Sequence, residues 1–272
     1  MSRAQAYAKI NLALVVGPIR ADGKHEVVTV LQRIDLHDDL DLEPAADLIV
    51  EGFPEDTLAR GALAALAEAT GVAPSWRVRI EKRIPVAAGL GGGSSDAAAA
   101  LTLANARLPE PLPPDGLHRL ASRIGADVPF FLREGPQLAT GEGSELAPLE
   151  LPQDYAVLLA LPDGQTKESS AAVYERFDAR GGAEGFDDRR AAVLEALAGV
   201  GQSRDLAALP RNDLASSPLA GELERLGAFR ADVSGAGPAV YGLFERREDA
   251  EEAAGALRGV SRTWLAHPRL GR

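Results

Sequence analysis

The stretch Pro85-Val86-Ala87-Ala88-Gly89-Leu90-Gly91-Gly92-Gly93-Ser94-Ser95-Asp96-Ala97 runs from a proline through four glycines into an alanine-rich segment. Glycine has no Cβ, so a backbone this bare can take positive φ and bring its NH groups close to a ligand. Ser94, Ser95 and Asp96 carry the side chains that cap helix N-termini, which predicts a helix from Ala97 to Ala106 whose first NH groups face the loop. Bare amides beside a helix N-terminus attract anions, so residues 85–95 read as a phosphate cradle. Other nucleotide loops do not fit. No Gly-Lys-Ser/Thr follows the glycines, and neither Gly89 nor Gly91 opens a G-x-G-x-x-G or G-x-G-x-x-A pattern. A turn that only packs a helix on a sheet needs neither three successive glycines nor two serines behind them.

The flanks give the loop its context. Trp76 to Ile84 alternates, with Val78 and Ile80 on one face, and places the loop between a strand and a helix. Upstream, Tyr7 to Val16 alternates with Ala8, Ile10, Leu12 and Leu14 on an apolar face and Lys9, Asn11 and Ala13 on the other, the pattern of a strand with one solvated face. Arg20 to Glu26, which contains His25, reads as a turn and Val27 to Leu31 as the returning strand. Ile34 to Val50 predicts further strands whose acidic residues lie on a wet face. Asp56 can cap a helix carrying Leu58, Leu63 and Leu66 and ended by Gly71.

Downstream, a helix over 115–124 stops at Gly125. Asp127 follows, ahead of Val128-Pro129 and an expected apolar strand; it suits either a corner-shaping Asx turn or a functional carboxylate among apolar neighbours. Residues 135–149 read as loop, and the composition suggests a boundary near residue 150. Tyr155 to Leu161 is an expected buried strand. Thr166 to Phe177 reads as polar loop then helix, with Tyr174 its prominent aromatic. Helices are expected at 187–197, after the Ser217-Pro218 cap, and at 248–257. A second glycine turn, Val233 to Pro238, feeds a strand at 239–244, and 260–265 gives a last strand. The pattern is two α+β halves.

Composition narrows the partners. At 272 residues and 46% hydrophobic content the chain can bury a large core. A formal charge of −11 argues against a nucleic-acid surface, so any anionic ligand must be held by a local basic site. Only four of the 29 basic residues are lysines (Lys9, Lys24, Lys82 and Lys167), which makes each of them notable. The absence of cysteine excludes disulfides and thiolate metal sites and suits a cytoplasmic protein. No apolar run is long enough for a membrane span, and the N-terminus lacks a signal-peptide pattern. The expected partner is a small molecule, with neither nucleic acid nor membrane, for a monomer or homodimer.

Together the motifs resemble the GHMP kinase superfamily, small-molecule kinases whose phosphate loop has the form P-x-x-x-G-L-G-S-S or a close variant. Gly89 to Ala97, the Ala8-Lys9-Ile10-Asn11-Leu12 segment with Ala21 to Glu26, and Gly125-Ala126-Asp127-Val128-Pro129-Phe130-Phe131 carry the likeness further. They are similar to the branch acting on a cytidine-diphosphate-linked methylerythritol in the non-mevalonate isoprenoid pathway. Arg211 to Leu214 and Ser234 to Pro238 also fall where that branch has counterparts. The resemblance implies a two-domain α+β fold, with a ribosomal-protein-S5-domain-2-like domain over 1–150 and a ferredoxin-like domain over 151–272. It implies ATP and Mg²⁺, a catalytic pair of Lys9 and Asp127, and Asn11, His25 and Tyr174 at the acceptor, whose 2-hydroxyl would be phosphorylated. Ser94 or Ser95 would serve the metal. Two positions depart from the pattern: Lys24 stands where an aromatic is usual, and Thr57 where an asparagine is usual near the adenine. The first shifts expected cytosine stacking to Tyr174. Homoserine or mevalonate kinases, the related decarboxylase, or a nucleotide sensor without catalysis are the competing readings.

Overall fold

The structure, a computed structural model, describes residues 2–53, 57–164 and 169–270. Asp56, expected to cap a helix, and the start of the polar loop at Thr166 lie outside them, as does Lys167.

Two sheets organise the chain. The first contains β1 (Ser2–Ile19), β2 (His25–Pro44), β3 (Ile49–Glu51), β4 (Trp76–Glu81), β5 (Gln137–Thr140) and β6 (Glu145–Pro148). The expected hairpin is there, and both its strands run well past the alternating segments. β1 pairs along β2, while the other edge of β2 is shared between β4 and β5. The second sheet, in order β10-β7-β9-β8, is antiparallel throughout: β7 (Ala156–Pro162), β8 (Arg230–Val233), β9 (Val240–Phe244) and β10 (Ser261–Ala266).

Helices fill the remaining faces. α1 (Thr57–Thr70), α2 (Gly92–Asn105) and α3 (Pro114–Ile124) pack on the first sheet, where Leu63, Leu66, Ala97, Ala100 and Leu101 meet Leu40, Leu42, Val78 and Ile80. Alanines on α2 let it lie close to both α1 and the sheet. α4 (Ser170–Ala179) and α5 (Phe186–Ala198) follow β7. α6 (Pro218–Arg225) and α7 (Arg247–Ala256) cover one face of the second sheet. The other face of that sheet meets β1 in one core, in which Ile10 and Leu12 cluster with Val157, Leu159 and Tyr241. β7 is thus buried on both faces, which is why its sequence is continuously apolar rather than alternating.

Several expectations are corrected. The helix after the glycines begins at Gly92 rather than Ala97, because Gly91 takes a left-handed conformation (φ 71°) and is itself the N-cap. Ser94, Ser95 and Asp96 therefore lie inside the helix, and no side chain caps it. Pro129–Leu132 forms a 3-10 turn, not a strand; Arg33 donates to the carbonyls of Phe130, Phe131 and Arg133 and completes that turn. Residues 135–149 contain the β5–β6 hairpin, with Gly141 and Gly143 at positive φ in its turn. β8 has no strand pattern in the sequence because Arg230 and Asp232 make it look like loop; both are buried, and the Arg230 guanidinium is satisfied by four backbone carbonyls. The acidic face of β2 is only partly wet, since Asp38 is fully buried.

Candidate active site

The glycine loop lies on the floor of a cleft of about 760 Å³ bounded by β1 and β2 of the first sheet, by α4 and by the Gly235 to Gly237 turn between β8 and β9. Pro85 through Ser94 line it without a gap. Two contacts explain why glycine is needed at Gly89 and Gly91, which take φ of 83° and 71°. A Cβ on Gly89 would sit 2.1 Å from the Ser234 carbonyl oxygen, and one on Gly91 would meet the Phe131 ring at 2.9 Å and Lys9 at 3.0 Å. Gly92 and Gly93 are helical and less crowded, so φ imposes nothing there. The second glycine turn clamps the loop: the Ser234 hydroxyl donates to the Gly89 carbonyl at 3.0 Å, and the Ala239 NH donates to the Ala88 carbonyl. Asn212 holds that turn in place by donating to the carbonyls of Val233 and Gly235.

Ser95 departs from the expected cradle. It is buried, its NH closes the first turn on the Gly91 carbonyl, and it lines a separate cavity on the far side of α2. Ser94 is the serine that faces the cleft.

β1 delivers Lys9 and Asn11 to the cleft by plain alternation, and a bulge adds Leu14 to the same face. Asn11 pairs with Leu31 and Ala13 with Val30, so Leu12 is an extra residue. Its carbonyl turns away to accept from Arg230 (2.6 Å) and the Tyr241 hydroxyl (3.3 Å). As a result Lys9, Asn11 and Leu14 line the cleft together, whereas uniform alternation put Leu14 on the opposite face. Neither polar residue is on a wet face: Lys9 is 3% and Asn11 4% exposed. The Lys9 ammonium donates to Asn11 Oδ1 (2.5 Å), Asn11 donates to Thr29 Oγ1 (2.8 Å), and Thr29 donates to the Ala13 carbonyl (2.6 Å). That chain fixes the lysine. Its ammonium lies 3.5 Å from Asp127 Oδ2, and the Asp127 side chain remains 38% exposed to the cleft.

Beside the loop, the Lys82 ammonium is held between Asp38 and Asp96 at 2.6 Å from each. Burial opposes its charge, but the two carboxylates outweigh that and leave its pKa above the ordinary lysine value. Asp38 also accepts from the NH groups of Arg83 and Ile84, which tethers the segment leading into the loop. At the other end, Tyr174 and Glu142 line the cleft. Burial pushes Glu142 up, yet the Ser144 hydroxyl, its own NH and the charges of Lys24 and Arg20 hold it below the usual glutamate range. His25 does not line the cleft. Its ring stacks on Tyr174 with centroids 4.9 Å apart, and its Nδ1 donates to the Gly17 carbonyl. Thr29, Lys82 and Glu142 were not read as site residues. The scarcity of lysine was the one signal for Lys82, and nothing local marks the other two.

Residues 57–135 match the family model for the GHMP kinases N terminal domain, and residues 192–261 match the model for the GHMP kinases C terminal. The chain belongs to the GHMP kinase family. Relatives of this GHMP kinase include proteins named 4-diphosphocytidyl-2-C-methyl-D-erythritol kinase. The one from Anaeromyxobacter dehalogenans is 37% identical over 97% of this chain and 91% of its own length. The one from Desulfitobacterium hafniense is 38% identical over 96% and 94%. A crystal structure of 4-(cytidine 5'-diphospho)-2C-methyl-D-erythritol kinase is 34% identical, covers 99% of this chain and 100% of its own, and superposes with a TM-score of 0.79. A mevalonate kinase structure reaches a TM-score of 0.77 at 13% identity, a likeness of fold alone. As in those relatives, the architecture is mixed α+β with two sheets.

Proposed function

We propose that this GHMP kinase transfers the γ-phosphoryl group of ATP to the 2-hydroxyl of 4-diphosphocytidyl-2-C-methyl-D-erythritol, in the non-mevalonate route to isoprenoid precursors. The observation that carries the reading is its likeness, over nearly the whole chain, to relatives bearing that substrate's name.

An alcohol is a weak nucleophile, and a carboxylate within reach of its proton is the group that activates it. Asp127 takes the hydroxyl proton as the alcohol oxygen bonds to the γ-phosphorus and the bond to the β,γ-bridging oxygen breaks, releasing ADP. Lys9, held by Asn11, places a positive charge where the transferred oxygens accumulate negative charge. NH groups of the loop and of the first turn of α2 cradle the phosphates. Mg²⁺, when bound, neutralises phosphate charge. No group of three carboxylate or imidazole side chains gathers among the described residues. The Ser94 hydroxyl suits a cation that takes oxygen ligands and keeps several waters. Tyr174 stacks on the cytosine, and His25 backs Tyr174 instead of reading the base itself.

The same proposal places the reaction in the cytoplasm, in a monomer or homodimer acting on a small molecule. Its two domains are residues 1–150 and 151–272, a division supported by the break between β6 and β7. Among the described residues no helix is long and apolar enough to cross a membrane. A coupled assay of ADP release tests the reading: release should require ATP and the cytidyl acceptor together, and no rise over ATP alone would contradict it.

A further inference from the structure

Behind α2 lies a second cavity, of about 370 Å³, within the range of small-ligand sites. Arg3, Arg33 and Arg269 all line it, and among its described lining residues there is no Asp or Glu. In a chain of net charge −11 that is a marked local reversal of sign. Like charges gathered on one cavity disfavour one another unless an anion joins them. Arg3 pairs with Asp41 at 2.7 Å, and Arg33 donates to the carbonyls of Phe130, Phe131 and Arg133. Arg269 lies over the Tyr7 ring at 4.2 Å, and its Nε, shielded from solvent, has no hydrogen-bond partner among the described residues. A cation over a ring face leaves the N–H edge of the guanidinium unused, and that edge matches the oxygens of a phosphate.

The rest of the wall is apolar, from Tyr7, Ala99, Leu103 and Phe131. We propose that Arg3, Arg33 and Arg269 make this cavity a second, anion-binding site for a small phosphate-bearing molecule with an apolar portion. The site adjoins the nucleotide cleft from behind. Ser95, in the first turn of α2, forms part of its wall, as does Phe131, whose ring packs against Gly91.

The test is calorimetric titration of the whole protein with hexyl phosphate while a non-hydrolysable ATP analogue saturates the cleft. Saturable binding of one equivalent is expected, with inorganic phosphate and hexanol each binding more weakly. Arg269→Gln removes a charge-assisted contact and should weaken hexyl phosphate by roughly tenfold or more. Ala99→Leu, which fills the cavity without touching charge, should weaken it similarly. Unchanged affinity of both variants for the ATP analogue would show that they are folded. Loss of hexyl phosphate binding once the analogue fills the cleft would overturn the proposal, as would undiminished binding by both variants.

Discussion

The Lys9 ammonium stands 3.5 Å from the Asp127 carboxylate, although one residue sits on a buried strand and the other in the turn after α3. Asp127→Asn keeps the shape and removes the base, so turnover should fall by about a hundred- to ten-thousand-fold with the fold intact. Steady-state rates alongside circular dichroism check this, and near-normal turnover would exclude Asp127 as the base. Lys9→Met should also lose most turnover while ATP affinity is largely kept. Collapse of ATP affinity with a normal residual rate would move Lys9 to the nucleotide site.

Gly89 and Gly91 are the positions where the loop tolerates no side chain. Gly89→Ala drives a Cβ into the Ser234 carbonyl, and Gly91→Ala drives one into Phe131 and Lys9, each at a positive φ. Both should weaken ATP binding strongly. Gly93→Ala, with helical geometry and only a Leu58 methyl at 3.3 Å, should be much milder. Titration with ATP separates them, and equal effects at all three positions would contradict the geometry.

Lys82 neutralises two carboxylates, Asp38 and Asp96, whose side chains are fully buried. Lys82→Met removes the ammonium that both carboxylates share and should cost roughly 3–5 kcal/mol. Adding Asp96→Asn should restore part of that loss. Urea unfolding of the single and double variants measures it, and a double variant no more stable than Lys82→Met would rule out the charge explanation.

These residues show what a sequence can and cannot disclose. The glycine loop is legible because its glycines are contiguous, whereas the apolar neighbours of Asp127 leave it open between an Asx turn and a functional carboxylate, and only the family resemblance implies a role for it. The helix start is misread because a left-handed glycine, not a serine, makes the cap. Leu14 is misassigned because the Leu12 bulge inverts the alternation, and that bulge is held by Arg230 and Tyr241 from the other sheet. The Lys82 triad joins three separate segments, so no local window contains it.

Tyr174 gives a pH signature. Burial, and then the charge of Asp127, push its hydroxyl pKa up to about 12, from the usual value of about 10. The fold therefore favours the neutral phenol. That contribution is complete below about pH 10 and is lost as pH rises through about 12. Tyr174→Phe should lose less stability than the parent between about pH 10 and pH 12, measured by urea midpoints; parallel losses would contradict this. Tyr174→Ala should weaken the acceptor by about 1–3 kcal/mol, the worth of a base stack, and leave ATP affinity unchanged.

The most direct test of the central claim compares kcat/KM for the cytidyl acceptor, its uridyl analogue, mevalonate and homoserine at saturating ATP. The cytidyl compound should be turned over fastest, with phosphorus NMR placing the new phosphate on its 2-hydroxyl. Faster turnover of mevalonate or homoserine, or phosphate on any other oxygen, would contradict the proposed function.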